Sequence, residues 1–121
     1  MNTIRSVLAV ALAASCGFAQ AIDRDAAQLE LAQAATAVQA AERDDAMRYA
    51  PRDLDEAHAT FEVARRAADA REWNDAAYYA ERAKVNGDLA SARSRQQRAE
   101  AATEEIRRSV DALRAETGGV P

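Results

Sequence analysis

Cysteine is almost missing from this 121-residue sequence: Cys16 is the only one, and it lies near the N-terminus. No disulfide within one chain can therefore brace the fold. Proline is nearly as scarce, with Pro51 the only one before the terminal Pro121, and there are four glycines. Most of the chain thus carries no helix breaker. Aromatic residues make up 5%, too few for a core built on large rings. With His58 as the single histidine and Cys16 as the single cysteine, no His-rich or Cys/His metal site can be assembled from one chain. Runs of bilayer length are absent as well. Val7 to Ala14 is an apolar stretch of eight residues, against the roughly 20 that a transmembrane helix needs.

That short stretch has its own meaning. Arg5 before it makes a positive n-region, and Ala19-Gln20-Ala21 after it is a small-x-small cleavage site, so residues 1–21 read as a signal peptide and residues 22–121 as a single domain. Ala13-Ala14-Ser15-Cys16 also matches the small-residue stretch before a lipidated cysteine, although it lacks the leucine usually found three places earlier. Lipidation at Cys16 is accordingly the second alternative, and retention as an uncleaved anchor the third. Each leads out of the cytoplasm, to a periplasm or cell envelope. Cleavage after Ala21 removes Arg5 from the 16 basic side chains and none of the 20 acidic ones, moving the formal charge from −4 to −5. Interspersed signs with an acidic balance argue against nucleic acid or an anionic membrane surface as partner.

Alanine dominates what remains, with 27 residues between Ile22 and Pro121, against 18 larger apolar or aromatic ones. Alanine loses no side-chain entropy in a helix but buries little area. The expectation is an all-α fold with a thin, closely packed core: an antiparallel helical hairpin or three-helix bundle with one long C-terminal helix. Helical periodicity places the helices at about 23–47, 51–70 and 75–116. Tyr49-Ala50-Pro51 forms the first corner, because proline ends one helix and suits the first position of the next. Arg71 to Asp75 forms the second, with Asn74 or Asp75 as the cap of the last helix. In that last helix Ala76, Ala80, Ala83, Gly87 and Ala90 make a small-residue ridge expected to sit close against the second helix. Ala99, Ala102, Ile106, Val110 and Leu113 make a further apolar stripe with no evident cover.

The Tyr49-Ala50-Pro51 corner, followed by Leu54, Ala57, Phe61 and Ala64, then Trp73, Ala76, Ala80, Ala83 and Asp88, resembles the bacterial envelope family numbered 4398 among the domains of unknown function. The resemblance spans roughly residues 25 to 105. It implies export, since family members are typically exported and many are lipoproteins. Some members add a C-terminal peptidoglycan-binding domain of the outer-membrane-protein-A type, and no such segment lies between Ile22 and Pro121. The family brings no established catalytic residues.

Nor does the residue pattern supply any. No G-x-S-x-G is present, and Ser91, Ser94 and Ser109 fall within a helix far in sequence from His58. The pairs Asp44-Asp45 and Glu104-Glu105 lack a surrounding calcium loop and read as solvated helix faces. Arg93, Arg95, Arg98, Arg107 and Arg108 are interrupted by Glu100, Glu104 and Glu105, which favours ion-paired helix faces over a phosphate site. No catalytic, metal or cofactor residue is assigned, and the protein is expected not to be an enzyme. Trp73, Tyr78 and Tyr79 either form a stacking platform for sugar or peptide or plug the end of the bundle, and Tyr78 and Tyr79 cannot both face inward. Ile106, Val110 and Leu113 complete the candidate partner-binding set. The functional expectation is a non-enzymatic envelope protein acting as adaptor or structural component through helix association, with itself or with an envelope protein. The alternative is a binding module for cell-wall glycan or peptide, peptidoglycan being the polymer concerned.

Overall fold

Asp23 starts the first helix by accepting the Ala26 amide on its carboxylate at 2.9 Å, satisfying one of the free amides of the first turn. The computed structural model describes residues 21–118, so Cys16 lies outside the described residues. Four helices follow in order: α1 Arg24–Arg43, α2 Ala46–Tyr49, α3 Pro51–Asp69 and α4 Trp73–Thr117. The fold is all-α, and the long C-terminal helix packs against the others.

The first helix is shorter than its periodicity suggests, ending at Arg43 instead of near Met47. No glycine or proline stops it. Asp45 adopts a left-handed conformation, φ 62°, which aspartate tolerates better than most residues. The Asp45 amide donates to the Glu42 carbonyl at 3.1 Å. One turn of α2 then leads to Ala50, whose amide donates to the Ala46 carbonyl at 2.8 Å, and Pro51 opens α3 at the corner foreseen from the sequence.

The second corner closes differently from expectation. Arg71 is left-handed at φ 61°, with its amide donating to the Ala68 carbonyl at 3.0 Å and the Glu72 amide to the Ala67 carbonyl at 2.9 Å. This pair of bonds is a Schellman motif, with arginine where glycine is usual. The completed motif lets α4 begin at Trp73, so neither Asn74 nor Asp75 caps it. Asn74 instead accepts the Ile22 amide at 2.9 Å, tying the segment before α1 to the start of α4.

That tie, together with contacts between Asp44 and Ser94 at the other end, makes α1 run parallel to α4, with α3 antiparallel between the corners. Both α1 and α3 pack along α4 and touch each other less. The core is built from alanines repeating every seven residues: Ala27, Ala34 and Ala41 on α1, Ala57 and Ala64 on α3, Ala76, Ala83 and Ala90 on α4, all fully buried. Such small side chains bring helix axes close. Among the described residues, Leu54 is the one large apolar side chain that is fully buried. Phe61 is only partly buried and packs both against the cluster around Leu54 and against that of Ala34, Ala64, Ala80 and Ala83.

Closest of all is Gly87. A Cβ there would lie 2.9 Å from the Ala37 carbonyl carbon and 3.0 Å from the Val38 nitrogen, so the ridge at this point meets α1, not the second long helix as its spacing suggested. Both flanking helices share the ridge, because small residues at four- and three-residue intervals make a face wide enough for two neighbours. Among the described residues no helix is long and apolar enough to cross a membrane.

Candidate functional site

Two regions of α4 gather the candidate residues. The first is its C-terminal extension. Ala76, Ala80, Ala83, Gly87, Ala90 and Ser94 form the buried face, and the covering helices then run out. Every residue from Ala99 to Gly118 is exposed, a stretch of about 28 Å for residues 99–117 at 1.5 Å per residue. Ile106 is 64% exposed, Val110 39% and Leu113 61%. Hydrogen bonds and ion pairs within this stretch are local: Arg108 to Glu104 at 3.2 Å, Arg114 to Asp111 at 3.7 Å, and the Thr103 hydroxyl to the Ala99 carbonyl at 2.9 Å. Pairs of this kind add only about 0.2 to 0.5 kcal/mol each.

Where cover ends, a polar cluster clamps α4 to the α1–α2 turn. The Ser91 hydroxyl donates to the Asp44 carboxylate, and the Ser94 hydroxyl to the Asp44 carbonyl. The Arg95 Nε lies 3.1 Å from the Asp44 carboxylate, and Arg98 reaches the carboxylates of Asp44 and Asp45 at 3.9 and 3.7 Å. The Ser91 hydrogen bond holds the Asp44 carboxyl below its ordinary range, against the opposing effect of desolvation and with help from Arg95 and Arg98. Asp44 is thus no solvated helix face: it sits at a turn and is bonded to α4. Arg93 adds a bridge to Asp53 at 2.7 Å. Sequence reasoning missed this clamp, though Ser91, Ser94, Arg95 and Arg98 stand on one helical face, spaced three, one and three residues apart.

The second region is the end of the bundle at Trp73. Trp73 is half-buried against the cluster of Ala27, Ala67, Ala76 and Ala77. It shares an open groove of about 650 Å³ with Arg24, Leu31, Arg65, Asp69 and Arg71, together with Gln28 and Ala68. Neither tyrosine lines it. Tyr79, like Leu31 and Phe61, packs against the cluster of Ala34, Ala64, Ala80 and Ala83, whereas Tyr78 is 55% exposed. Their rings meet edge-on with centroids 5.2 Å apart, and the Arg82 guanidinium lies 5.9 Å from the Tyr78 ring centre. The structure therefore brings Tyr78 and Tyr79 together and leaves Trp73 in a separate groove.

His58 places Nε2 3.0 Å from the Glu42 carboxylate, a surface link between α3 and α1. Among the described residues no three His, Cys, Asp or Glu side chains converge as metal ligands. What these residues present is exposed apolar side chains at the end of α4 and an open groove at Trp73. The model of a family described as "Domain of unknown function (DUF4398)" matches residues 29–106. Comparisons with curated proteins and with solved structures return no match.

Proposed function

This chain belongs to the DUF4398 family, and we propose that it is a non-enzymatic helical protein of the cell envelope, working as adaptor or structural component through helix association. The observation that carries the reading is the length of α4, 45 residues against 20 in α1 and 19 in α3. Its bare end keeps Ile106, Val110 and Leu113 in water. A helix gains most of its stability from an apolar face packed on something else, so a partner helix along this end is the economical explanation. The leader-like residues 1–21 support an exported location, and Cys16 is the candidate lipid attachment point. Photo-crosslinking in intact cells from residue 106 or 113 tests association: an adduct is expected there and none from Asp55, on the exposed face of α3. Absence of any adduct from the α4 end overturns the reading. Mass spectrometry of the processed N-terminus tests export, with Ile22 or an acylated Cys16 expected and an intact Met1 contradicting it.

The second reading, a binding module for wall glycan or peptide, is favoured by the Trp73 groove. Arg24, Arg65 and Arg71 line it together with Trp73 and a single carboxylate, Asp69, a basic and aromatic lining suited to carboxylates beside a sugar ring. Co-sedimentation with purified peptidoglycan, lost in a Trp73→Ala variant that melts like the parent, is the expected result. Equal sedimentation of the two proteins removes Trp73 from the site.

A further inference from the structure

The bare C-terminal stripe is one end of a longer row. Tyr78, Val85, Ala92, Ala99, Ile106 and Leu113 recur every seven residues along α4, and all are exposed. Leu89, Gln96, Thr103 and Val110 form a second exposed row between them, also at seven-residue intervals. Together they alternate steps of four and three from Val85 to Leu113, over about 42 Å of helix, the spacing of a coiled-coil seam; between Tyr78 and Val85 the second-row position is held by Arg82, whose guanidinium lies over the Tyr78 ring. Tyr78, Val85 and Leu89, at 55%, 60% and 41% exposure, extend this seam into the part of α4 that the bundle already covers on its other side. At 100° per residue, Tyr78 lies about 200° around the helix from Ala76, so the seam faces directly away from α1 and α3.

We propose that a second copy of this chain occupies this seam, its α4 lying parallel and in register to form a two-stranded coiled coil with the two bundles on opposite outer sides. This rests on the association reading and names its partner. Charge supplies the reason for a second copy. In such a pair, positions five residues apart face each other across the flank of the seam. Asp88 then stands opposite Arg93 of the partner subunit, an arginine that also bridges Asp53 within its own chain, and Arg95, which also bonds Asp44 within its own chain, stands opposite Glu100 of the partner subunit. Glu81 faces Asn86 of the partner subunit, and no flanking pair from there to Arg114 has like charges. The chain is therefore complementary to itself at this register. Gln96 and Thr103, polar residues in the middle of the seam, disfavour slippage at some loss of affinity. A membrane surface fits poorly, because the residues flanking the apolar row mix both signs where an interfacial helix is rich in Lys and Arg.

Sedimentation equilibrium and directed cross-linking test this, on protein expressed with its native N-terminus and with Cys16→Ser so that no other thiol is present. The parent should sediment as a dimer at high micromolar concentration. An Ile106→Glu, Val110→Glu double variant and a Leu89→Glu variant should both sediment as monomers, with bundle melting unchanged. Leu113→Cys should form an interchain disulfide under mild oxidation, and Ala115→Cys, on the far flank, should not. A strictly monomeric parent overturns self-pairing while leaving association to be decided by the in-cell cross-links from residue 106. A dimer that survives the double variant overturns this seam as the site for any copy. A dimer sensitive to the double variant but cross-linked equally from 113 and 115, or from neither, overturns the parallel register.

Discussion

The two halves of α4 are made of similar material and behave differently. From Trp73 to Arg98 the helix alternates alanine with charge, and its alanines, Ala92 excepted, are buried against α1 and α3. From Ala99 to Thr117 it again alternates small or apolar residues with charge, contains larger apolar side chains than the first half buries, and is exposed throughout. Burial here follows from reach: α1 and α3 are about 30 and 28 Å long, α4 about 68 Å. Small residues in the first half admit two neighbouring backbones, whereas Ile106, Val110 and Leu113 in the second offer area to a single helix. What the contrast teaches is that hydrophobicity alone does not mark a core. Alanine in the company of two helices is core, and leucine beyond their ends is surface.

The sharpest way to break that comparison is to make the same substitution once in the core that α4 shares with its neighbours and once beyond it. Leu54→Ala should cost about 2 to 5 kcal/mol, since it removes the largest fully buried apolar side chain. Leu113→Ala should alter thermal unfolding of the bundle by no more than about 0.5 kcal/mol. Equal losses in urea denaturation would place Leu113 in a core.

A smaller effect is expected at the helix contact. Gly87→Ala improves helix propensity by about 1 kcal/mol, yet its new methyl would meet the Ala37 carbonyl carbon at 2.9 Å, which only a shift of backbone can relieve. We expect a net loss of about 1 to 3 kcal/mol; a gain would show that α1 moves aside freely. Arg71→Gly should work in the opposite sense, stabilising by about 1 kcal/mol because glycine adopts the left-handed geometry without the steric cost that arginine bears. Its measure is a higher urea midpoint at unchanged slope.

The smallest effect should appear in acid. The Asp44 carboxyl titrates below its ordinary value in the folded protein, so the unfolded chain binds the proton more readily and stability falls as pH drops. The contribution is present in full above the ordinary carboxylate value of about 3.9 and is lost as pH falls through it toward the folded value. An Asp44→Asn variant should therefore melt below the parent at neutral pH, with the gap narrowing under about pH 4. A gap independent of pH would mean that the Ser91 and arginine contacts do not distinguish carboxylate from amide.

How much of this was legible beforehand varies by residue. Pro51 announced its corner, because a ring that lacks an amide hydrogen acts locally. The break at Asp44-Asp45 was hidden, since neither residue forbids helix. It depends on Ser91, Ser94, Arg95 and Arg98, which stand some 50 residues away in sequence and gain their meaning only when α1 and α4 lie side by side. The start of α4 was misplaced by two residues for a related reason. Asn74 has a good capping side chain, but the Schellman closure at Arg71 came first and left that side chain for Ile22. Among candidate residues, the exposure of Ile106 and Leu113 followed from helix lengths that can be counted. The separation of Trp73 from the tyrosines depended on where the groove lies between α1 and α3.

By itself the sequence determined that the chain would be helical, where its proline would turn it, and that its core would be thin, because propensity, ring geometry and side-chain volume are properties of residues and their near neighbours. Tertiary structure alone decided that Gly87 meets α1, that Asp44 closes the far end and that one face of α4 is left without cover. Those outcomes depend on which helices reach which positions, and reach is settled when the elements pack together.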